Sequence, residues 1–285
     1  MGESEEISKI LSKEKGKPIE MLGHFRKATA NVICTILFGQ RYEGGDPELE
    51  SLLTNVDKVM DTFIIHAPSL MAVPKWFRDL FMSKTKAKAK EPFHNLRELL
   101  VSKIKEHRRS IKQGEPPRDF YDVYILDPER EDLGMTDEAL ADTSMAFIPD
   151  SISTIANLMV FMLLYIMLNP EVQKIVQEEI DNVCGSNPPS LDDRSKMPFT
   201  TATIMESMRM SSVVTMIPNH KSLHGDTKFA GYNIPGDADI MGNIYAVHMD
   251  PDLFPNPEKF NPQRFIDSDG DVVKTDTIIL FGMGK

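Results

Sequence analysis

Cysteine is scarce in this chain: 2 occur in 285 residues, Cys34 and Cys184, with no CxxC spacing. That usage excludes a disulfide framework and a cysteine-based zinc site, and it suits a reducing compartment. Net positive charge is also lacking. The formal charge of −11 argues against nucleic acid as a partner, because phosphate binding requires clustered basic residues. No apolar run reaches the roughly 20 residues that span a bilayer. The longest, Leu158 to Leu168, predicts a buried core helix. The opening stretch MGESEEISKILSKEKGK has no signal-peptide pattern. Neither an internal repeat nor a long low-complexity linker is present.

What is present is ordinary globular material, 41% apolar and 26% charged, enough for a sizeable core and unlike a disordered chain. Ala28 to Phe38 predicts a helix stopped by Gly39. Asp46 to Phe63 carries Leu49, Leu52, Leu53, Val56 and Met60 at helical spacing. A proline-broken apolar stretch follows, FIIHAPSLMAVPKWF, with the single Trp76. Lys84 to Lys90 (KTKAKAK) is either a solvated helix face or a contact for anionic lipid. Phe93 to Ile111 predicts a long amphipathic helix, and Gly114 to Pro117 a loop before a short one. Thr136 is an N-cap candidate, with Asp137 and Glu138 favouring the helix dipole. The helix it starts runs to Leu168, with a kink expected at Pro149. Further helices are expected over Glu171 to Val183, stopped by Gly185, and over Thr200 to Met210. Beyond Pro218 the texture turns to short β-like runs, TKFAGYNI and ADIMGNIYAV, then to proline-rich irregular chain over Pro251 to Phe265. The expected class is mainly α with a small β portion, as one intertwined domain over residues 1–285.

Three pieces in fixed order carry chemistry. Glu206-Ser207-Met208-Arg209 puts a carboxylate and a guanidinium on one helix face. Phe260 to Phe265 (FNPQRF) holds Arg264 in proline-bounded chain. Phe281-Gly282-Met283-Gly284-Lys285 is a glycine-rich turn after an apolar approach. Each is weak alone. Together they resemble the helix K motif, the meander motif and the start of the haem-binding loop of cytochromes P450. The resemblance extends to NPEVQKIVQEEID and DDRSKMPFTTATIMESMR, and FAGYNIP, NIYAVHMDPDLFPNPEKFNPQRF and the early NVICTILFGQRY are similar to microsomal members.

That resemblance implies a partial cytochrome P450 fold and a haem-thiolate monooxygenase. Such an enzyme inserts one oxygen atom of O2 into an apolar organic substrate. Its electrons come from an NADPH-dependent reductase at the cytosolic face of the endoplasmic reticulum membrane. It implies that Glu206, Arg209 and Arg264 form a buried ion cluster, and that Phe281, Gly282, Gly284 and Lys285 approach haem. The ligand cysteine would lie beyond Lys285, with the family's N-terminal anchor and early helices also outside these residues. A thiolate ligand pushes electron density into the iron; Cys34 reads instead as a small core residue, and Cys184 as exposed. His220 or Lys221 lies near where the family places a haem-propionate contact, whereas the i, i+4 pair His220 and His224 lacks a nearby third ligand and does not read as a metal site. Phe63 to Phe81 resembles a loop bordering the substrate entrance, or else is ordinary core.

In the oxygen-activating segment, Thr154 matches the family's threonine, and Ser153 stands where an acid is expected. Asp150, one turn earlier, either takes over the acid's role or caps the helix after Pro149. Two other functions remain open: a non-catalytic product that binds no haem, and a haem-thiolate isomerase or dehydratase needing no external electrons.

Overall fold

Helix ends in this protein fall where capping chemistry places them. The computed structural model describes residues 2–71, 75–112, 114–130, 132–217, 220–222, 225–273 and 275–279, giving the backbone alone over 62–71 and 75–89. Contacts divide the chain into two compact units, Met1–Ala156 and Asn157–Lys285.

The first unit is helical. It comprises α1 (Gly2–Glu14), α2 (Leu22–Phe38), α3 (Pro47–Met71), α4 (Lys75–Ser110), α5 (Phe120–Leu126) and the beginning of α6 (Asp137–Leu168). Gly39 ends α2 in the left-handed region at φ 67°, its N–H donating to Thr35 O, the geometry a chiral residue resists. Thr136 caps α6 as expected: its Oγ1 accepts from Ala139 N at 3.1 Å. The α6 start is held further by Asp137, which accepts from Arg108 Nε at 2.7 Å and from Arg130 Nη2 at 2.8 Å. The Arg108 hydrogen bond keeps the Asp137 carboxyl below the usual carboxylate range. Leu52 and Val56 of α3, Leu96 and Leu100 of α4, and Ile148 and Ile152 of α6 are fully buried in one core with Cys34.

One expectation changes in this unit. Within the stretch Phe63 to Phe81 the backbone is helical through Met71 and again from Lys75, and residues 72–74 lie outside the described residues. The stretch contains no glycine, and of its two prolines Pro68 lies within α3 and removes one donor, which the surrounding helix formers outweigh. Its side chains, with Trp76 and the lysines at 84, 86 and 88, lie outside the described residues, so neither lipid nor substrate contact there is tested.

The second unit holds the end of α6, α7 (Pro170–Cys184), α8 (Pro198–Ser211), strands β1 (Thr227–Phe229) and β2 (Tyr232–Ile234), the short α9 (Ile244–His248) and a 3-10 turn at Pro262–Phe265. The strands pair antiparallel, Phe229 opposite Tyr232, across Ala230 and Gly231, both at positive φ, as a tight hairpin requires. The mainly α class with a small β portion is therefore present. The run ADIMGNIYAV is not a strand. Only isolated bridges, His220 to Ile240 and Met216 to Asn243, survive, because Asn243 Oδ1 accepts from Ala246 N at 3.0 Å and starts α9; a local cap outweighs the β-propensity of Ile, Tyr and Val.

Two burial expectations also reverse. No residue of Leu158 to Leu168 is buried, and Met167 and Leu168 are 64% and 67% exposed; apolar content marks what a helix could bury, while burial needs a neighbour on every side. By length and composition alone α6 is sufficient to cross a membrane. Cys184, expected exposed, is 8% exposed, since the chain folds back over the helix end and Asn187 N donates to Cys184 O at 3.0 Å.

At Gly39 a Cβ would stand 2.9 Å from Asp119 Oδ2, whereas at Gly114, also at positive φ, it would meet nothing. Each alanine carries a left-handed backbone penalty of about 1–2 kcal/mol. Gly39→Ala is expected to cost clearly more than Gly114→Ala in urea unfolding, and equal midpoints would show that Asp119 yields freely.

Candidate functional site

The second unit contains long irregular chain, and that creates a hydrogen-bonding problem. Main-chain carbonyls outside helices and sheets still need donors. Around the turn at Asn256, itself left-handed at φ 52°, the carbonyls of residues 255, 256, 257 and 259 find theirs on two arginines. Arg264 Nη1 donates to Pro255 O at 3.2 Å, and its Nη2 to Asn256 O at 3.4 Å and Lys259 O at 3.3 Å. Arg209 Nη2 donates to Pro257 O at 2.8 Å, and its Nη1 to His248 O at 2.7 Å.

Both arginines converge on one carboxylate. Glu206 and Arg209 lie one turn apart on α8 and are fully buried. Their contact is bidentate, Arg209 Nε to Oε2 at 2.8 Å and Nη2 to Oε1 at 2.9 Å. Arg264 Nε reaches Glu206 Oε1 at 3.1 Å, and Asn261 N donates to the same oxygen at 2.9 Å. The structure thus brings together the three residues that the sequence pairs only by motif. Planar guanidinium forks suit this shared arrangement. Phe254 lies under the Arg209 guanidinium at 5.1 Å and meets Phe265 edge-on at 6.4 Å. Helix α8 is itself fixed from α7, where Glu179 accepts from Phe199 N at 2.9 Å and Thr200 N at 2.6 Å.

In the first unit, Asp150, Ser153 and Thr154 share one turn of α6. The Thr154 hydroxyl donates to Asp150 O at 2.5 Å, so its own proton is committed to the backbone and its oxygen is left to accept. Partial burial raises the Asp150 carboxyl above its ordinary value, although the residue keeps an exposed surface. His220 pairs through its backbone with Ile240, and Lys221 Nζ lies 3.7 Å from Asp239 Oδ1 at the surface. His224, Phe281, Gly282, Gly284 and Lys285 lie outside the described residues.

Two buried groups escape the sequence. His107 Nε2 is 2.9 Å from Asp119 Oδ2, and Asp122 stands beside them. These atoms are close enough to suggest a metal site, yet both Asp122 oxygens are taken by Arg118, Nε to Oδ2 at 2.6 Å and Nη2 to Oδ1 at 2.9 Å. The cluster fastens α5 to α4. The other is His248, fully buried beside Arg209; nothing in its local sequence separates it from a surface histidine.

Neither cysteine fits a thiolate ligand to haem. Cys34 is fully buried in the apolar core, and burial pushes its thiol up to about 12; Cys184 is covered at the end of α7. What the described residues assemble is the clamp of Glu206, Arg209 and Arg264.

Comparison with known proteins follows the same lines. The Cytochrome P450 family model matches residues 2–285. The chain is similar to cytochrome P450 2U1 of Homo sapiens, 34% identical over 271 residues, which is 90% of this chain and 48% of that protein. It is 32% identical over 282 residues to cytochrome P450 2B2 of Rattus norvegicus, covering 96% and 56%. Cytochrome P450 18a1 of Drosophila melanogaster is 29% identical over 301 residues, covering 100% and 54%. The chain spans about half the length of the curated relatives it matches.

Removing Glu206 leaves the buried Arg209 charge uncompensated, at about 3–5 kcal/mol, and removing Arg264 takes a donor from three carbonyls and from one Glu206 oxygen. Arg264→Ala and Glu206→Ala are each expected to destabilise by that order in chemical unfolding, and a loss below about 1 kcal/mol would mean the ions are solvated. For the thiols, iodoacetamide at pH 8 is expected to leave both unmodified in the native protein and to label both in urea. Rapid native labelling of Cys34 would contradict its place in the core.

Proposed function

This chain belongs to the cytochrome P450 family, and on that premise we propose that the whole protein is a haem-thiolate monooxygenase. It inserts one oxygen atom of O2 into an apolar organic substrate. Electrons reach it from an NADPH-dependent reductase at the cytosolic face of the endoplasmic reticulum membrane. The observation that carries this reading is the Glu206–Arg209–Arg264 cluster, in which Glu206 and Arg209 are fully buried and the Arg264 side chain is 10% exposed. It fastens α8 to irregular chain that leads on to residues 281–285, which the family pattern assigns to the haem approach. These residues would hold the scaffold, and His220 or Lys221 would meet a propionate.

Proton delivery falls to α6. Oxygen chemistry of this class consumes protons, and a donor works best when its acid lies near the operating pH. The raised Asp150 carboxyl moves in that direction. Thr154 donates its own proton to Asp150 O, so it can pass on only a proton that its oxygen has first accepted. Asp150 supplies that proton, one helical turn away on the same face, and Ser153 does not. A second reading, a haem-thiolate isomerase or dehydratase, is favoured by the hydroxyl at Ser153 in place of an acid. A turnover independent of NADPH and reductase would select it.

The relay is tested in the whole protein by comparing product formed with NADPH consumed. Asp150→Asn is expected to keep substrate binding while diverting consumed oxygen to hydrogen peroxide, and Ser153→Asp to change coupling little. Sharply raised coupling in Ser153→Asp, with Asp150→Asn silent, would reduce Asp150 to a helix cap.

A further inference from the structure

His248 ends α9 with its side chain fully buried, and three contacts define what it does. Its carbonyl accepts from Arg209 Nη1 at 2.7 Å, which ties the residue to the ion cluster. Its ring stands edge-on to Phe254 at 6.5 Å. Its Nε2 lies 3.2 Å from Ile279 N. A backbone N–H can only donate, so Nε2 accepts, and the ring in this contact carries its proton on Nδ1. Nδ1 has no partner among the described residues.

Ile279 belongs to a short irregular segment that makes few other polar contacts among the described residues. Thr277 N donates to Thr275 Oγ1 at 3.1 Å, which is a turn within the segment. Ile278 packs against the small cluster of Ala202, Phe254 and Phe265. The His248 bond links this segment's backbone to a side chain of another element. The residues that the family pattern assigns to the haem approach begin two positions later, at Phe281.

We propose that His248 is a positioning residue: its uncharged ring, anchored through its own carbonyl to Arg209, holds the Ile279 amide and so sets where the chain departs toward Phe281. The consequence for haem rests on the haem-thiolate reading; the contact itself does not. Burial, and after it the Arg209 charge, lowers the His248 pKa and favours the neutral ring. The charged groups facing it come from α8, Arg209 with Glu206 bonded behind it. On its own stretch Asp250 is turned to Asp252 N, and Asp276 on the held segment is exposed. Because the folded pKa is depressed, the stabilising contact is fully present above the ordinary histidine value and is lost as pH falls through the folded one. A protonated Nε2 would face the Ile279 N–H with a second donor.

The test uses the whole protein with haem and two variants. His248→Gln places an acceptor oxygen near the Nε2 position, whereas His248→Phe keeps the ring and removes the acceptor. Amide hydrogen exchange over residues 275–279, corrected for intrinsic rates, is expected to quicken about three- to tenfold in the phenylalanine variant, the scale of one hydrogen bond, and to stay at the wild-type rate with glutamine. The phenylalanine variant is also expected to lose the thiolate–carbon monoxide absorption band sooner on storage. In the wild type, exchange at Ile279 should rise as pH drops below the histidine range, and the glutamine variant should lack that rise. Wild-type exchange in His248→Phe, or equal acceleration in both variants, would overturn the proposal. If His248→Phe does not fold, a glutamine variant that loses protection or a wild type without the pH step overturns it instead. A wild type without any thiolate–carbon monoxide band would sink the haem reading while leaving the exchange result to judge His248.

Discussion

A single carboxylate shared by two guanidinium groups is the constraint on which the second unit depends. Glu206 accepts four hydrogen bonds, three from Arg209 and Arg264 and one from the Asn261 backbone. Taking three ions out of water is expensive, and an apolar replacement of equal shape could be as stable. What an apolar core could not supply is donors. Chain that lacks ladder partners from Pro255 to Lys259 exposes carbonyl oxygens that would otherwise need water, and the arginine forks bring those donors into the interior. The cluster therefore specifies a shape more than it adds stability. It lets a stretch without regular structure hold one conformation.

The first unit reaches order by the opposite route. Its helices bury leucine, isoleucine and valine in one continuous core, and polar groups inside it are few and paired. Tyr121 and Ser144 are both fully buried and bond to each other at 2.9 Å, and Ser144 donates to Leu140 O at 2.8 Å. Cys34 shows what such a core does to a reactive group: surrounded by apolar neighbours, the thiol loses its ionised form and with it both nucleophilicity and metal affinity. One ion cluster sits at the edge, where Arg108 and Arg130 fasten the beginning of α6 through Asp137.

Legibility in the sequence followed interaction range. Thr136, Gly39 and Gly185 act within a turn of their own position, so local reading placed those helix ends. Glu206 and Arg209 were visible as a spaced pair. Arg264, 55 residues beyond Arg209, entered through the ordered motifs of a known family, since nothing local tells a clamp from a surface arginine. Where local reading failed, the deciding partner was a cap or a distant neighbour. Asn243 turned a β-like run into α9, the return of the chain covered Cys184, and missing neighbours left Met167 and Leu168 exposed. His248 was invisible for the same reason: its acceptor role exists only because Ile279, 31 residues later, passes its ring.

The clamp reads main-chain oxygens rather than side chains. The carbonyls of Pro255, Asn256, Pro257 and Lys259 look alike to a guanidinium whatever residue bears them. Sequence drift across this stretch is thus largely invisible to Arg209 and Arg264, provided the backbone can still make its left-handed turn at Asn256. The geometric requirement therefore rests on three ionic positions and that turn, because the two arginines hold the stretch by its main chain and leave its exposed side chains uninvolved.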